Sequence, residues 1–153
     1  MRKYLKSTLI FIILNFIGLY LGSIWTTPGV VSDWYNNLIQ APWTPPGWVF
    51  GAAWTTIGLT FGLAASKFYL EKDHDMVFFY ILTWFLNLMW NPIFFTMKAP
   101  LLSLIVIMNL SVLIGFMTHE MRVRHGKWIL TMLPYFIWLI IATSLNMFIL
   151  IMN

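Results

Sequence analysis

Three groups of residues have the types and spacing to hold a ligand. The first is the run WYNNLIQAPWTPPGWVFGAAW, which carries Trp34, Trp43, Trp48, Trp54 and three of the seven prolines, Pro42, Pro45 and Pro46. Proline fixes φ and removes a backbone donor, and it pushes the preceding residue out of the α region. A short, stiff, non-helical connection is therefore expected here. Indoles are broad amphipathic plates suited to a membrane–water boundary or to a flat apolar guest, so the run reads as a lid over the mouth of a helical bundle. The second group is Asn87, Trp90, Asn91 and Phe94, at i, i+3, i+4 and i+7 on one helical face. Within it, Pro92 leaves the Leu88 carbonyl without its helical donor and predicts a kink. The third is Tyr135, Trp138, Ala142 and Asn146, at spacings of three, four and four. Ala142 there leaves a notch in which a ring could sit.

Each group also has a plainer account. A carboxamide in hydrocarbon is costly unless paired, and interhelical bonding, for instance between Asn87 and Asn15, is its commoner use. Aromatic stripes are more often ordinary packing. The ligand reading gains weight from coincidence, since aromatic faces on three helices converge beneath a tryptophan lid. Acid–base and metal chemistry find no support. His74, His119 and His125 lie in or beside charged loops, where they are expected to be solvated. No carboxylate pair, nucleophile with a base, or metal cluster falls at membrane depth. Without cysteine, thiolate zinc sites, iron–sulfur clusters and disulfides are excluded.

The elements that must position these groups follow from composition. Of the residues, 60% are hydrophobic and 9% charged, against about a quarter charged in a soluble domain. Mean hydropathy is +0.80. Apolar runs over residues 7–25, 47–68, 76–96, 100–118 and 128–152 each approach the ~20 residues that cross a bilayer as a helix, with Lys67 at the end of the second as their one charge. Backbone groups in lipid must be satisfied internally. The expectation is an all-α integral membrane protein, a single domain over residues 1–153 with five transmembrane helices and the Trp/Pro-rich loop between the first two.

The net charge of +4 does not point to nucleic acid, because the cations sit in short loops between apolar runs. With five spans, Arg2, Lys3, Lys6, Lys67, Lys72, Arg122, Arg124 and Lys127 share one side, and only Lys98 lies on the other. The positive-inside rule then places the N-terminus in the cytoplasm and the lid and C-terminus outside. The first run resembles a signal peptide, but its apolar part is too long and no Ala-x-Ala-like site follows, so it is expected to remain as a span. Gly18-xxx-Gly22, Gly58-xxx-Gly62 and Ser111-xxx-Gly115 permit close helix approach. Packing within the bundle and a dimer seam are both open uses. No membrane-depth charge marks ion coupling.

Three ordered motifs, WY..L..P.W.PP.WV.G..W from Trp34, LN..WNPIFF from Leu86 and PY..W...AT.LN from Pro134, resemble the TspO/MBR family of tryptophan-rich sensory proteins, similar to the mitochondrial translocator protein. The resemblance covers nearly the whole chain. It implies a five-helix bundle, usually a homodimer, that binds porphyrins such as protoporphyrin IX and haem, with no covalent cofactor. It assigns the pocket to Trp54, Asn87, Trp90, Trp138, Ala142 and Asn146, to which the spacing above adds Phe94 and Tyr135. Trp34, Pro42, Trp43, Pro45 and Pro46 match the capping loop. Porphyrin sensing ranks first. Light- and oxygen-dependent porphyrin breakdown, with Trp54 and Trp138 as the reacting indoles, ranks second, and transport third. Animal members carry a tyrosine followed by a basic residue near the end of the last helix; here Phe148 and Ile151 stand there, so tight cholesterol binding is not expected. A bacterial plasma membrane is the expected location.

Overall fold

Every apolar run becomes a helix, and the chain forms a five-span bundle. The computed structural model describes residues 2–153. The long elements are α1 (Arg2–Val30), α3 (Gly47–Leu70), α4 (His74–Asn91, continued by a π turn over Pro92–Thr96), α5 (Pro100–His125) and α6 (Leu133–Met152). All five are long and apolar enough to cross a membrane. They form a ring in the order α1, α3, α6, α5, α4, with α3 and α4 also touching across its middle.

Several helix ends differ from the apolar runs. Helix α1 continues past Trp25 through Pro28 to Val30, and α5 runs past Thr118 to His125. The charged last turns of α5 leave the apolar zone without leaving the helix, and Glu120 and Arg124 pair one turn apart at 2.7 Å. Gly126, at φ +56°, ends it. Trp128 belongs to a 3₁₀ stretch over Gly126–Thr131, and the last span starts only at Leu133.

The lid is less irregular than its prolines suggest. It contains one helical turn, α2 (Asp33–Asn36), where the Ser32 hydroxyl accepts from the Tyr35 amide at 3.3 Å. Trp34 is in that turn, and Trp48 and Trp54 already belong to α3. Only residues 37–46 are extended or turned.

The expected kink at Pro92 takes the form of a π turn, closed by the Met97 amide donating to the Pro92 carbonyl at 2.9 Å. Asn91 Nδ2 donates to the Asn87 carbonyl at 3.0 Å and lies 3.5 Å from the Leu88 carbonyl that Pro92 deprives.

All three small-residue patches pack inside the bundle. A Cβ on Gly62 would lie 2.6 Å from Ile12 Cγ1 and 3.0 Å from the Ile12 backbone nitrogen, so α1 and α3 meet almost backbone to backbone. Gly18 and Gly22 receive Trp84 and Asn91 of α4. Gly115 faces Phe136, while the Ser111 and Thr143 hydroxyls bond at 3.0 Å across α5 and α6.

Asn15 does not pair with Asn87. Its Nδ2 donates to the Gly58 carbonyl at 3.0 Å and its Oδ1 accepts from the Tyr80 hydroxyl at 2.8 Å. Tyr80 stands two turns nearer the charged end than Asn87, and that is the level at which Asn15 crosses α4.

At the charged end, Lys67 pairs with Glu71 at 2.5 Å and Arg124 with Asp73 at 2.6 Å. His74 and His119 are exposed there. His125 is not solvated as expected: it is largely buried, with Nε2 3.0 Å from Glu71 Oε2. That nitrogen makes no hydrogen bond, because the approach is off-line, so the contact is an ion pair only when the ring is protonated.

Candidate functional site

The site is built where α3, α4 and α6 bring their rings together. Helix α3 supplies Phe50 and Trp54, one turn apart, α4 supplies Asn87 and Trp90, and α6 supplies Tyr135 and Trp138. The rings meet edge to face. Phe50 lies 5.1 Å from Trp138 at 88°, Trp54 lies 6.5 Å from Trp138 at 76°, and Trp54 lies 6.0 Å from Tyr135 at 70°.

Two cavities border this cluster. The lid-side cavity, of about 60 Å³, is lined by Phe50, Trp54, Asn87, Trp90, Trp138 and Ala142, with Ile107, Leu110 and Leu139 behind them. The deep cavity, of about 30 Å³, lies between α1, α3 and α4 and reaches Tyr135 of α6; Asn15, Gly18, Gly58 and Trp84 line it. Trp54 and Asn87 belong to both cavities.

The sequence suggested a slot wide enough for a planar guest. The observed spaces are far smaller than the roughly 300–1,000 Å³ of ordinary ligand pockets. The physical reason is that Phe50, Trp54 and Trp138 fold edge-on into the volume that a flat ring would occupy. Close packing favours filling such a void. Entry of a large guest requires these rings to turn.

Six of the expected residues line these cavities: Trp54, Asn87, Trp90, Tyr135, Trp138 and Ala142. Asn146 does not. It is 2% exposed and turned toward α5. Its Oδ1 accepts from Trp90 Nε1 at 3.0 Å, and its Nδ2 donates to the Pro100 carbonyl at 3.0 Å. The Ser103 hydroxyl, 3.0 Å from both Asn146 Oδ1 and the Pro100 carbonyl, gives its single proton to one or the other.

Phe94 does not line either cavity. It stacks on Trp90 at 4.9 Å and 12° and meets Trp34 of the lid at 5.5 Å, in a second apolar cluster with Phe95 and Ile149. Trp34 is thus part of the roof.

Trp43, 53% exposed, lies along the flank of α6. It donates from Nε1 to the Ser144 hydroxyl at 3.1 Å and meets Phe148 at 5.3 Å. Pro42, Pro45 and Pro46 carry the chain from that flank to the start of α3, with Pro46 directly before its first turn. The lid is also tied to the end of α6. The Ile39 amide donates to Asn153 Oδ1 at 2.8 Å, and Asn153 Nδ2 donates to the Ile39 carbonyl at 3.3 Å.

Sequence reasoning passed over Phe50, although it stands four residues before Trp54 on the same helical face. Asn15, Gly18 and Trp84 as cavity walls, and Asn153 as a tie, had no comparable signal. No group of histidine and carboxylate side chains placed to hold a metal occurs among the described residues. The arrangement suits stacking and hydrogen bonding of an uncharged ring system.

A family model matches residues 10–152, and it is that of the TspO/MBR family. The chain belongs to the TspO/MBR family. It is similar to the tryptophan-rich sensory protein of Cereibacter sphaeroides, 34% identical over 74% of this chain and 73% of the relative. It is also similar to the tryptophan-rich protein TspO of Archaeoglobus fulgidus, 31% identical over 88% of each. The translocator protein homolog of Schizosaccharomyces pombe is 31% identical over 74% of this chain and 73% of its own length. As a TspO/MBR protein whose five long helices are apolar, it is an integral membrane protein.

Proposed function

We propose that this protein is a membrane receptor for porphyrins of the protoporphyrin IX and haem type, held among the rings of α3, α4 and α6. The observation that carries the reading is the convergence of Trp54, Trp90 and Trp138, from three helices, on the lid-side cavity, which shares Trp54 and Asn87 with the deep one. A porphyrin is a flat apolar disc with two propionates. Stacking on these indoles would hold the disc, and the propionates would stay near the lid, where water reaches. Binding opens the cluster: half-buried Trp54 turns from its edge-on position, and its place is taken by the guest. In this reading the bundle works as a homodimer in a bacterial plasma membrane, with the cation-rich end in the cytoplasm and the lid outside.

The test is a titration with protoporphyrin IX in darkness, read by quenching of tryptophan fluorescence. Trp54→Phe and Trp138→Phe should each weaken binding about fivefold to tenfold, the worth of one aromatic contact. Unchanged titrations in both variants would place the site elsewhere.

The nearness of Trp54 to Trp138, 6.5 Å between centroids on one cavity, favours one second reading. An indole beside a photoexcited porphyrin can give up an electron, so bound porphyrin would be degraded in light and oxygen. Turnover of illuminated protoporphyrin, lost in a Trp138→Phe protein that still binds it, separates this from binding alone.

A further inference from the structure

The bundle interior holds four carboxamides, and three are bonded through both the oxygen and the nitrogen. Asn15 bonds to Gly58 and Tyr80. Asn91 bonds to the Thr26 hydroxyl and the Asn87 carbonyl, and Asn146 bonds to Trp90 and Pro100. The side chain of Asn87 has no hydrogen-bond partner among the described residues. The same contrast divides the two innermost tyrosines. Tyr80, 4% exposed, donates to Asn15 at 2.8 Å. Tyr135, 3% exposed, donates to nothing among the described residues.

These two unpartnered groups border the same deep cavity. Tyr135 is buried and Asn87 half-buried; polar groups so placed in native proteins nearly always find a partner, protein or water, because leaving them without one is costly. The cavity, of about 30 Å³, is large enough for one or two waters, each needing roughly 10–15 Å³ of such space. A phenol hydroxyl both donates and accepts, and a carboxamide offers two donor hydrogens and an acceptor oxygen. An oxygen atom between them can satisfy both.

The geometry points to the deep cavity as an oxygen-binding sub-site. It holds water in the empty bundle and the carbonyl or hydroxyl oxygen of an aromatic ligand when one is bound. The sub-site deepens the ring-site reading above and rests on it. A ring seated against Trp54 and Trp138 has its inner edge at Asn87, the residue common to both cavities, so a substituent there passes into the deep cavity. A planar, apolar ligand that carries an uncharged oxygen on the edge remote from the lid gains a partner there, whereas a protoporphyrin-type disc, whose only oxygens are its propionates, leaves the sub-site to water. A carboxylate is excluded, because no cation lines the cavity and burying an unpaired charge is prohibitive.

The probes are 9-fluorenone and fluorene, rings of matched shape that differ by a carbonyl in place of a methylene. Each is titrated into detergent-solubilised wild-type protein, Tyr135→Phe and Asn87→Leu, and followed by tryptophan quenching. Wild type should prefer the ketone by about tenfold, the worth of one well-made hydrogen bond. In both variants the preference, read as the ratio of the two affinities in the same protein, should fall to about twofold or less. Equal affinities in wild type, or a ketone preference that survives in both variants, overturn the ligand sub-site. If fluorene still binds in that case, the ring site itself stands. If neither probe binds wild type, the ring site fails with the sub-site.

A thermal double-mutant cycle without probe tests the water. Coupled melting shifts for Tyr135→Phe and Asn87→Leu, which share no direct bond, support a common occupant, and strictly additive shifts overturn it.

Discussion

Asn146 offers the sharpest test of how the interior is held together. Replacing it with leucine keeps the volume but removes the acceptor of Trp90 Nε1 and the donor to the Pro100 carbonyl. The Pro100 carbonyl retains the Ser103 hydroxyl at 3.0 Å, whereas the Trp90 N–H is left bare. Interhelical hydrogen bonds in membranes average about 0.6 kcal/mol, so the two full bonds contribute about 1.2 kcal/mol. The orphaned indole adds about 1–2 kcal/mol. The sum, about 2–3 kcal/mol, corresponds to a fall in Tm of about 5–10 °C for a chain of this size. The assay is thermal unfolding in a single detergent, followed by intrinsic fluorescence. Trp90→Phe should cost less, because Asn146 Oδ1 keeps Ser103. The double variant should fall short of the sum of the singles, since it leaves no orphaned indole N–H. An Asn146→Leu protein within about 0.5 kcal/mol of wild type would refute this account, as would full additivity in the double variant.

Other expected outcomes can be checked in the same preparation. Gly62→Ala should destabilise by about 1–3 kcal/mol despite the better helix propensity of alanine, because its Cβ would meet Ile12 backbone. Gly51→Ala, with open space around the new methyl, should be neutral or stabilising by up to about 1 kcal/mol; paired melting curves decide both. Asn153→Ala removes both hydrogen bonds to Ile39. Hydrogen exchange at the Ile39 amide should then speed up by about tenfold, as expected for loss of about 1.4 kcal/mol of local stability, while the global Tm stays near wild type.

The spans were legible because the length and purity of an apolar run are set by the bilayer. Their ends were not, because a helix can leave the apolar zone on charged residues, as α5 does between Thr118 and His125. Spacing correctly brought Trp54, Trp90, Trp138 and Ala142 together, since separations of three or four residues stay on one face. It failed for Asn146, which is eight residues beyond Trp138 and so rotated by about 80° at 3.6 residues per turn. That drift turns it from the cavity toward Ser103 on α5. Phe94 lies beyond the start of the π turn, whose extra residue re-phases everything after it and sends Phe94 under the lid. The filled interior was not legible either, because periodicity says which rings share a space and nothing about whether they fill it.

The inward use of every glycine-lined seam has a consequence for self-association. A second copy approaching through the bilayer would meet branched and linear aliphatic side chains such as Leu9, Ile13 and Ile17 on α1, or Ile105, Met108 and Val112 on α5. Acyl chains solvate these side chains about as well as another protein does. Pairing through such surfaces is an exchange with lipid, governed by the protein-to-lipid ratio. Dilution into excess lipid would dissolve a pair that detergent at high protein concentration holds together.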